Sequence, residues 1–361
     1  MRGDGYPVVE LVRALENGNT KDLSRVPNLV YKKNGRIVYN QQTSQIIDIA
    51  PDFGLVKDYY RLTLNRLIRI PLLVNGSRGC HFDCTFCAIK EVYRDVKKRR
   101  PSEIIEDIKS QISNEHFLSR FFPRVMWITD DNFFSDREWA KEVLRNLATI
   151  KTKYVLVLQA RVELGYDDEM LDLLRKANIG RVYIGIESLR DESLHNIKKG
   201  IRVEDIKDSI KNIKKYGIEV HGLFVFGDDE FRKGDWLEVA NFVKEYGLSG
   251  LLIQPLTPFP GTKLFKKLKR EGRILHENWS EYNGKVVFKP RRLTAAELQE
   301  EIYRCYNAVY GFSHVFKYMF RGRKGLRLGL LGEAIIRRRE WIRMRRYIKE
   351  RLMEKNAVPL L

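Results

Sequence analysis

Ile70-Pro71-Leu72-Leu73-Val74-Asn75-Gly76-Ser77-Arg78-Gly79-Cys80-His81-Phe82-Asp83-Cys84-Thr85-Phe86-Cys87 joins an apolar run to three closely spaced cysteines. Ile70 to Val74 has the composition of a buried strand, and Asn75 to Gly79 is a glycine-punctuated turn. The cysteines then follow on a loop with C-x3-C-x2-C spacing. Thiolates gathered in this way suit a soft metal centre, either an iron–sulfur cluster or zinc. A closed zinc site draws a fourth ligand from the protein. A cubane held by three thiolates instead leaves one iron open to a small molecule.

Working outward, apolar runs alternate with amphipathic stretches. Strands are expected at Ile70–Val74, Arg124–Ile128, Tyr154–Gln159, Arg181–Ile186, Glu219–Phe226 and Gly250–Pro255. Helices are expected between them: Ser102–Ser113 with Ser102 as its cap, then helices from Ser135 and Asp167, then Val203–Tyr216 and Trp236–Tyr246. Six such repeats predict an α/β fold: a partial (β/α)6 barrel of the TIM type. A small N-terminal α/β segment and a helical C-terminal extension flank it. The expected division is 1–69, 70–271 and 272–361.

In β/α barrels the binding groups sit where the strands end. Asp130, Asp131 and Asn132 follow the second strand, and Gln159 and Arg161 close the third. Glu187 and Ser188 end the fourth, and Gly227, Asp228 and Asp229 end the fifth. Any one of these could be a helix cap. Together, beside the cysteine loop, they form a candidate ligand-binding rim.

The cysteine spacing, with an aromatic residue (Phe86) just before the last thiol, resembles the radical S-adenosylmethionine (radical SAM) superfamily. Four further segments resemble its cobalamin-associated subgroup: Thr129-Asp130-Asp131-Asn132-Phe133, Gln159-Ala160-Arg161, Gly185-Ile186-Glu187-Ser188 and Pro258-Phe259-Pro260-Gly261-Thr262. The resemblance implies a [4Fe–4S] cluster on Cys80, Cys84 and Cys87. Its open iron would bind the amino and carboxylate groups of S-adenosylmethionine. One-electron cleavage would then yield a 5′-deoxyadenosyl radical that abstracts hydrogen from the substrate. It further implies S-adenosylmethionine contacts at Phe86, Asp130, Asp131, Arg161, Glu187, Ser188 and Gly227. Asp130 and Asp131 would meet the ammonium, Arg161 the methionine carboxylate, Glu187 the ribose or the methionine moiety, and Gly227 the adenine side. A ferredoxin- or flavodoxin-like reductant is the expected electron source.

The N-terminal region resembles the end of the cobalamin-binding domain that precedes such cores. Gly3-Asp4-Gly5 matches a turn that opens its last helix, and Asn34-Gly35 marks a short linking hairpin. A doubly wound cobalamin domain needs on the order of 100 residues or more. Neither that length nor an Asp-x-His-x-x-Gly motif is present before the core. Cobalamin binding is therefore not expected of these residues alone; a separate polypeptide, a deletion or a misplaced start codon would each account for the missing part. Beyond the core, Trp279 to Gly284, Val286 to Pro290 and a helix capped by Thr294 resemble the extension of hopanoid-methylase-like proteins. That points to an apolar, lipid-like substrate for methylation or carbon–carbon bond formation.

The chain of 361 residues carries a net charge of +19. Lys317 to Lys355 holds 14 Lys/Arg against 4 Glu, a net of +10, which suits an anionic partner or a membrane surface under a basic helix at Glu333–Met353. Three clustered cysteines and one lone one, Cys305, do not make a disulfide framework, and a reducing cytoplasmic setting is expected. Two other readings stay open on sequence alone: an RNA-modifying radical SAM enzyme and a non-catalytic metal-binding protein. The RNA reading is disfavoured because residues 1–79 lack cysteine and the tail pattern is helical.

Overall fold

The computed structural model describes residues 6–16, 20–41, 72–93, 95–113 and 125–311. The Gly3-Asp4-Gly5 turn, the first two residues of the expected first strand and the basic helix at Glu333–Met353 lie outside these residues.

The first element is α1 (Tyr6–Glu16), followed by a hairpin of β1 (Val30–Lys33) and β2 (Arg36–Tyr39). Its turn holds Asn34 and Gly35 at φ 50° and 78°, the left-handed geometry that an Asn-Gly pair tolerates. The main sheet begins at β3 (Leu72–Val74). A short antiparallel pair, β4 (Ser77–Arg78) and β5 (Lys97–Lys98), brackets the cysteine loop and a one-turn helix, α2 (Ile89–Val92). Next come α3 (Pro101–Ser113), β6 (Val125–Ile128), α4 (Arg137–Ala148), β7 (Val155–Ala160), α5 (Asp168–Lys176) and β8 (Ile179–Glu187). The chain continues with α6 (Asp191–Asn196), α7 (Val203–Lys215), β9 (Glu219–Phe226), α8 (Asp235–Glu245), β10 (Gly250–Pro255), α9 (Lys263–Arg270) and α10 (Ala295–Val309).

The six long-range strands pair in the order β10-β9-β8-β7-β6-β3, all parallel, so neighbours in sequence are neighbours in space. This is the expected partial barrel. Side chains alternate across it. Met126, Ile128, Leu156, Leu158, Val182 and Ile184 face the helices and are almost completely buried there. Burying each such side chain contributes about 1.5–3 kcal/mol. On the other face, Trp127 stacks on Tyr183 with ring centroids 4.7 Å apart, and Tyr183 lies 4.6 Å from the His221 ring.

Two helix starts differ from the sequence reading. Pro101 opens α3, because its missing N–H is not needed there, so Ser102 sits inside the helix rather than capping it. Phe133–Ser135 forms a single 3-10 turn, and Asp136 caps α4 by accepting from the Trp139 N–H. The expected capping box at Thr294 and Glu297 is present on α10.

That last helix also closes the sheet. The open edge of β10 presents unpaired backbone groups. Tyr306 Oη accepts from the Ile253 N–H at 2.7 Å and donates to the Ile253 carbonyl at 2.9 Å. Tyr310 Oη does the same at Leu251, at 3.1 and 2.7 Å. Two tyrosines one helical turn apart thus stand in for a seventh strand. Cys305 immediately precedes Tyr306 and is fully buried, and burial pushes its thiol pKa well up, as suits a structural thiol.

Candidate active site

Asp130 shows how the cysteine loop is held. It is fully buried at the end of β6. One oxygen accepts from the Gly76 N–H at 2.7 Å and from Asn75 Nδ2 at 3.3 Å, and the other accepts from Ser77 Oγ at 2.5 Å. The second strand end therefore clamps the turn that launches the cysteines. Burial raises the Asp130 pKa to about 6, against the opposing effect of these hydrogen bonds. Asp130 thus faces the turn rather than the open rim at which an ammonium contact was expected. Its neighbour Asp131 is half-buried and accepts from the Gly79 N–H at 2.8 Å, one residue before Cys80.

Cys80, Cys84 and Cys87 are free, half-buried thiols. Burial pushes the Cys87 thiol up, and the other two thiols and Asp131 push it the same way, against the hydrogen bond from the Ile89 backbone. Three soft donors on one loop fit a cuboidal cluster in chemistry. Among the described residues no three His, Cys, Asp or Glu side chains surround a single-ion position. Each thiolate of a cubane binds a different iron, so convergence on one point is not required of them. Phe86 packs against the main core and anchors the loop between Cys84 and Cys87.

The partners of the thiols come from neighbouring strand ends. Asn132 Nδ2 lies 3.8 Å from Cys80 Sγ, and its Oδ1 is buried with no hydrogen-bond partner among the described residues. Arg161 lies across the loop. Its guanidinium carbon is 3.6 Å from the centre of the Phe82 ring, and Nη1 is 3.9 Å from Cys84 Sγ. Nε and Nη2 pair with Glu163, and Nη2 also donates to the Lys199 carbonyl at 2.6 Å. These residues border a pocket of about 360 Å³, lined by His81, Phe82, Asn132, Phe134, Arg161 and Leu164 among others.

Glu187 is buried at the end of β8 with φ 67°, a left-handed conformation unusual for a residue with a side chain. Its partner is Lys199, with Nζ 2.7 Å from Oε1. Sequence reasoning missed Lys199, because nothing local marks a lysine twelve residues downstream as the partner. Ser188 Oγ accepts from the Arg190 N–H at 3.2 Å, while Arg190 pairs with Asp235.

The last rim group splits. Asp228 is buried, accepts from Ser193 Oγ at 2.7 Å, and has its pKa raised by burial. Burial also acts to raise Asp229, but its hydrogen bonds with Lys267 and Arg273 outweigh that and hold its carboxyl low. Gly227 adopts φ 100°, and a Cβ there would lie 2.4 Å from Leu298. Its missing side chain makes room for α10.

A loop of thiols at the mouth of a parallel partial barrel narrows the family, and sequence comparison points the same way. Residues 74–243 match the radical SAM superfamily. Over those residues, just under half of its length, the chain is similar to that superfamily. The radical SAM family implies a [4Fe–4S] cluster and S-adenosylmethionine as cofactors. Among curated relatives, the anaerobic magnesium-protoporphyrin IX monomethyl ester cyclase of Cereibacter sphaeroides is 27% identical over 344 residues, covering 92% of this chain and 54% of the relative. The hopanoid C-2 methylase of Rhodopseudomonas palustris is 29% identical over 218 residues, covering 58% and 40%. The chain spans about half the length of the curated relatives it matches. Among solved structures, the radical S-adenosylmethionine methyltransferase TsrM from Kitasatospora setae, with cobalamin and a [4Fe–4S] cluster bound, has the same fold. The TM-score is 0.63 at 17% identity, covering 86% of this chain and 62% of that one. These relatives fit the cobalamin-type radical SAM subgroup.

Proposed function

We propose that this radical SAM chain binds a [4Fe–4S] cluster through Cys80, Cys84 and Cys87 and uses S-adenosylmethionine to functionalise an unactivated carbon of a large apolar substrate. The observation that carries the reading is the thiol loop itself: three free, half-buried cysteines with Arg161 laid against Cys84. The cofactors supply one-electron cleavage of a sulfonium bond. The chain's own residues position and shield. Asp130 fixes the turn before Cys80, Phe86 ties the loop to the core, and Asp131, Glu187 and Ser188 offer polar contacts at the rim. The relatives, a protoporphyrin cyclase and a hopanoid methylase, support a polycyclic apolar substrate and either methylation or ring-forming carbon–carbon chemistry.

A cobalamin-binding domain or separate chain is part of this proposal. α1 exposes Val8, Val9, Val12 and Leu15, and the hairpin exposes Val30, Ile37 and Tyr39. That apolar surface sits where the sequence resembles the junction with such a domain. The net +10 of Lys317–Lys355 supports contact with an anionic membrane surface, which would suit delivery of a lipid-like substrate. Among the described residues no helix is long and apolar enough to cross a membrane. A ferredoxin- or flavodoxin-like protein would provide electrons.

The test is anaerobic reconstitution with iron and sulfide, followed by S-adenosylmethionine and a strong reductant. Release of 5′-deoxyadenosine, accelerated by a porphyrin or polycyclic lipid, is expected. A protein that takes up zinc alone and releases none refutes the reading.

A further inference from the structure

We infer that an aromatic patch beside the barrel mouth, formed by Phe259, Phe265 and Trp279 and edged by the cations of α9, docks the protein on the surface of an anionic lipid bilayer. The inference takes its purpose from the lipid-like substrate proposed above, but docking itself requires neither cluster nor S-adenosylmethionine.

The patch is built where two segments meet. Phe259 and Pro260 are exposed on the loop that follows β10, and Trp279 is exposed on a single 3-10 turn after α9. Phe259 is 39% and Trp279 49% open to solvent, so each leaves a large apolar area in water. Tyr282 lies buried beneath them, its ring 6.4 Å from that of Phe259 and 4.9 Å from that of Trp279. Its hydroxyl donates to the His276 carbonyl at 2.9 Å, which fixes this base. Phe265, on α9, is 6.2 Å from Trp279 and extends the patch along the helix. Scattered exposed apolar side chains are ordinary, whereas adjoining ones mark a contact surface.

Charge says which surface. α9 buries Leu264 and Leu268 one turn apart and turns its cations outward. Lys263 pairs with Asp83 and Lys267 with Asp229, on the flank of the helix toward the barrel mouth. Lys266 and Arg270 are exposed, four residues apart, and make no ion pair among the described residues. Lys269 stands beside the rings, with Nζ 5.5 Å from the centre of Phe265, and pairs with exposed Glu277. A lysine stem laid along a ring with its charge at the edge is the geometry of snorkelling. Phe259 to Lys285 carries seven Lys/Arg against three Glu, so the surround of the patch complements an anionic face.

A bilayer fits better than a nucleic acid. Bases stack on parallel faces. Here neighbouring rings are tilted by 50°, 51° and 59°, and offer edges for insertion rather than a row of platforms. Trp and Phe under a rim of lysine and arginine suit the boundary between headgroups and acyl chains. The patch also adjoins the site. The Leu264 N–H donates to the Thr85 carbonyl at 3.0 Å, between Cys84 and Cys87, so α9 links the docking surface to the thiol loop. A lipid-like molecule leaving the bilayer there has a short path to the barrel mouth.

The experiment is co-sedimentation of the full chain with phosphatidylcholine vesicles, with and without phosphatidylglycerol. Wild type, Trp279→Ala, Phe259→Ser and the double variant Lys266→Glu/Arg270→Glu are compared, with circular dichroism as the folding control. Wild type should prefer the anionic vesicles and release at high salt. Each aromatic variant should bind them roughly tenfold more weakly, and the charge reversal by roughly tenfold or more. Phe259→Ser serves if Trp279→Ala does not fold. All variants keep the basic segment Lys317–Lys355, so unchanged binding in all of them places the contact elsewhere and overturns the inference. A wild type that ignores anionic vesicles overturns it too, as do variants that lose binding to transfer RNA but keep binding to vesicles. A chain that docks through the patch but takes up no cluster overturns the functional reading instead.

Discussion

Arg161 Nη1 lies 3.9 Å from Cys84 Sγ while the same guanidinium covers the Phe82 ring at 3.6 Å. One side chain from the end of β7 therefore supports both a thiol and the residue two places before it. A fixed cation beside a thiolate favours its charged, metal-binding form. Stacking on Phe82 adds a contact that lysine does not reproduce.

Arg161→Ala should therefore loosen the loop without unfolding the barrel. Iron loss to a chelator is expected to accelerate by on the order of tenfold, from losing one charge-assisted contact and the ring stack. Arg161→Lys should recover only part of this. Timed iron release, with circular dichroism as the folding control, gives the comparison, and equal rates in all three proteins would remove Arg161 from the account.

Asp130 makes stability depend on pH. Its folded pKa is about 6 against an ordinary 3.8, so the folded state keeps the proton to higher pH than the unfolded chain does. The stability it contributes is fully present below 3.8 and is lost as pH rises through about 6. The loss amounts to at most about 3 kcal/mol at 1.36 kcal/mol per unit. Asp130→Asn keeps an acceptor for the turn but cannot titrate. The stability of wild type relative to Asp130→Asn should fall as pH rises from 3.8 to about 6 and level off above that, a window set by the burial shift. Anaerobic denaturant titrations across that range measure it, and a flat difference contradicts the burial.

The tyrosine edge is separable from the chemistry. Tyr306→Phe removes the partner of both Ile253 backbone groups, and Tyr310→Phe does so at Leu251. Each is expected to cost about 1–3 kcal/mol and to expose a strand edge that promotes self-association. Thermal denaturation and light scattering report the two effects, while cluster content should stay at the wild-type level.

Gly185→Ala tests the floor of the Glu187–Lys199 pair. The added Cβ would fall within 2.7 Å of both charged ends, so the pair must move. Overpacking of this kind costs about 1–3 kcal/mol. Binding of S-adenosylmethionine should suffer more than overall stability, as read by dialysis and melting of the same samples.

Much of this was legible before the structure. The six strands were marked by apolar runs and their ends by polar clusters, because parallel strands buried on both faces leave a strong local signature. The thiols and the Thr294–Glu297 capping box were likewise local. Lys199, the burial of Asp130 and the tyrosine edge were not. Each depends on a partner from another element, and a lysine beside Lys198 and Gly200 or a tyrosine in a helix reads as ordinary surface or core until the sheet brings the partner to it. Gly227 carried a correct turn signal, but its reason, the approach of Leu298, lies seventy-one residues away.

The most direct test of the central claim is electron paramagnetic resonance of the anaerobically reconstituted, reduced protein with and without S-adenosylmethionine. A signal of a reduced [4Fe–4S] cluster that changes when S-adenosylmethionine is added, is lost in Cys80→Ala, Cys84→Ala and Cys87→Ala, and persists in Cys305→Ala is the predicted result. A cluster signal indifferent to S-adenosylmethionine, or one that survives loss of any of the three clustered cysteines, would contradict the account.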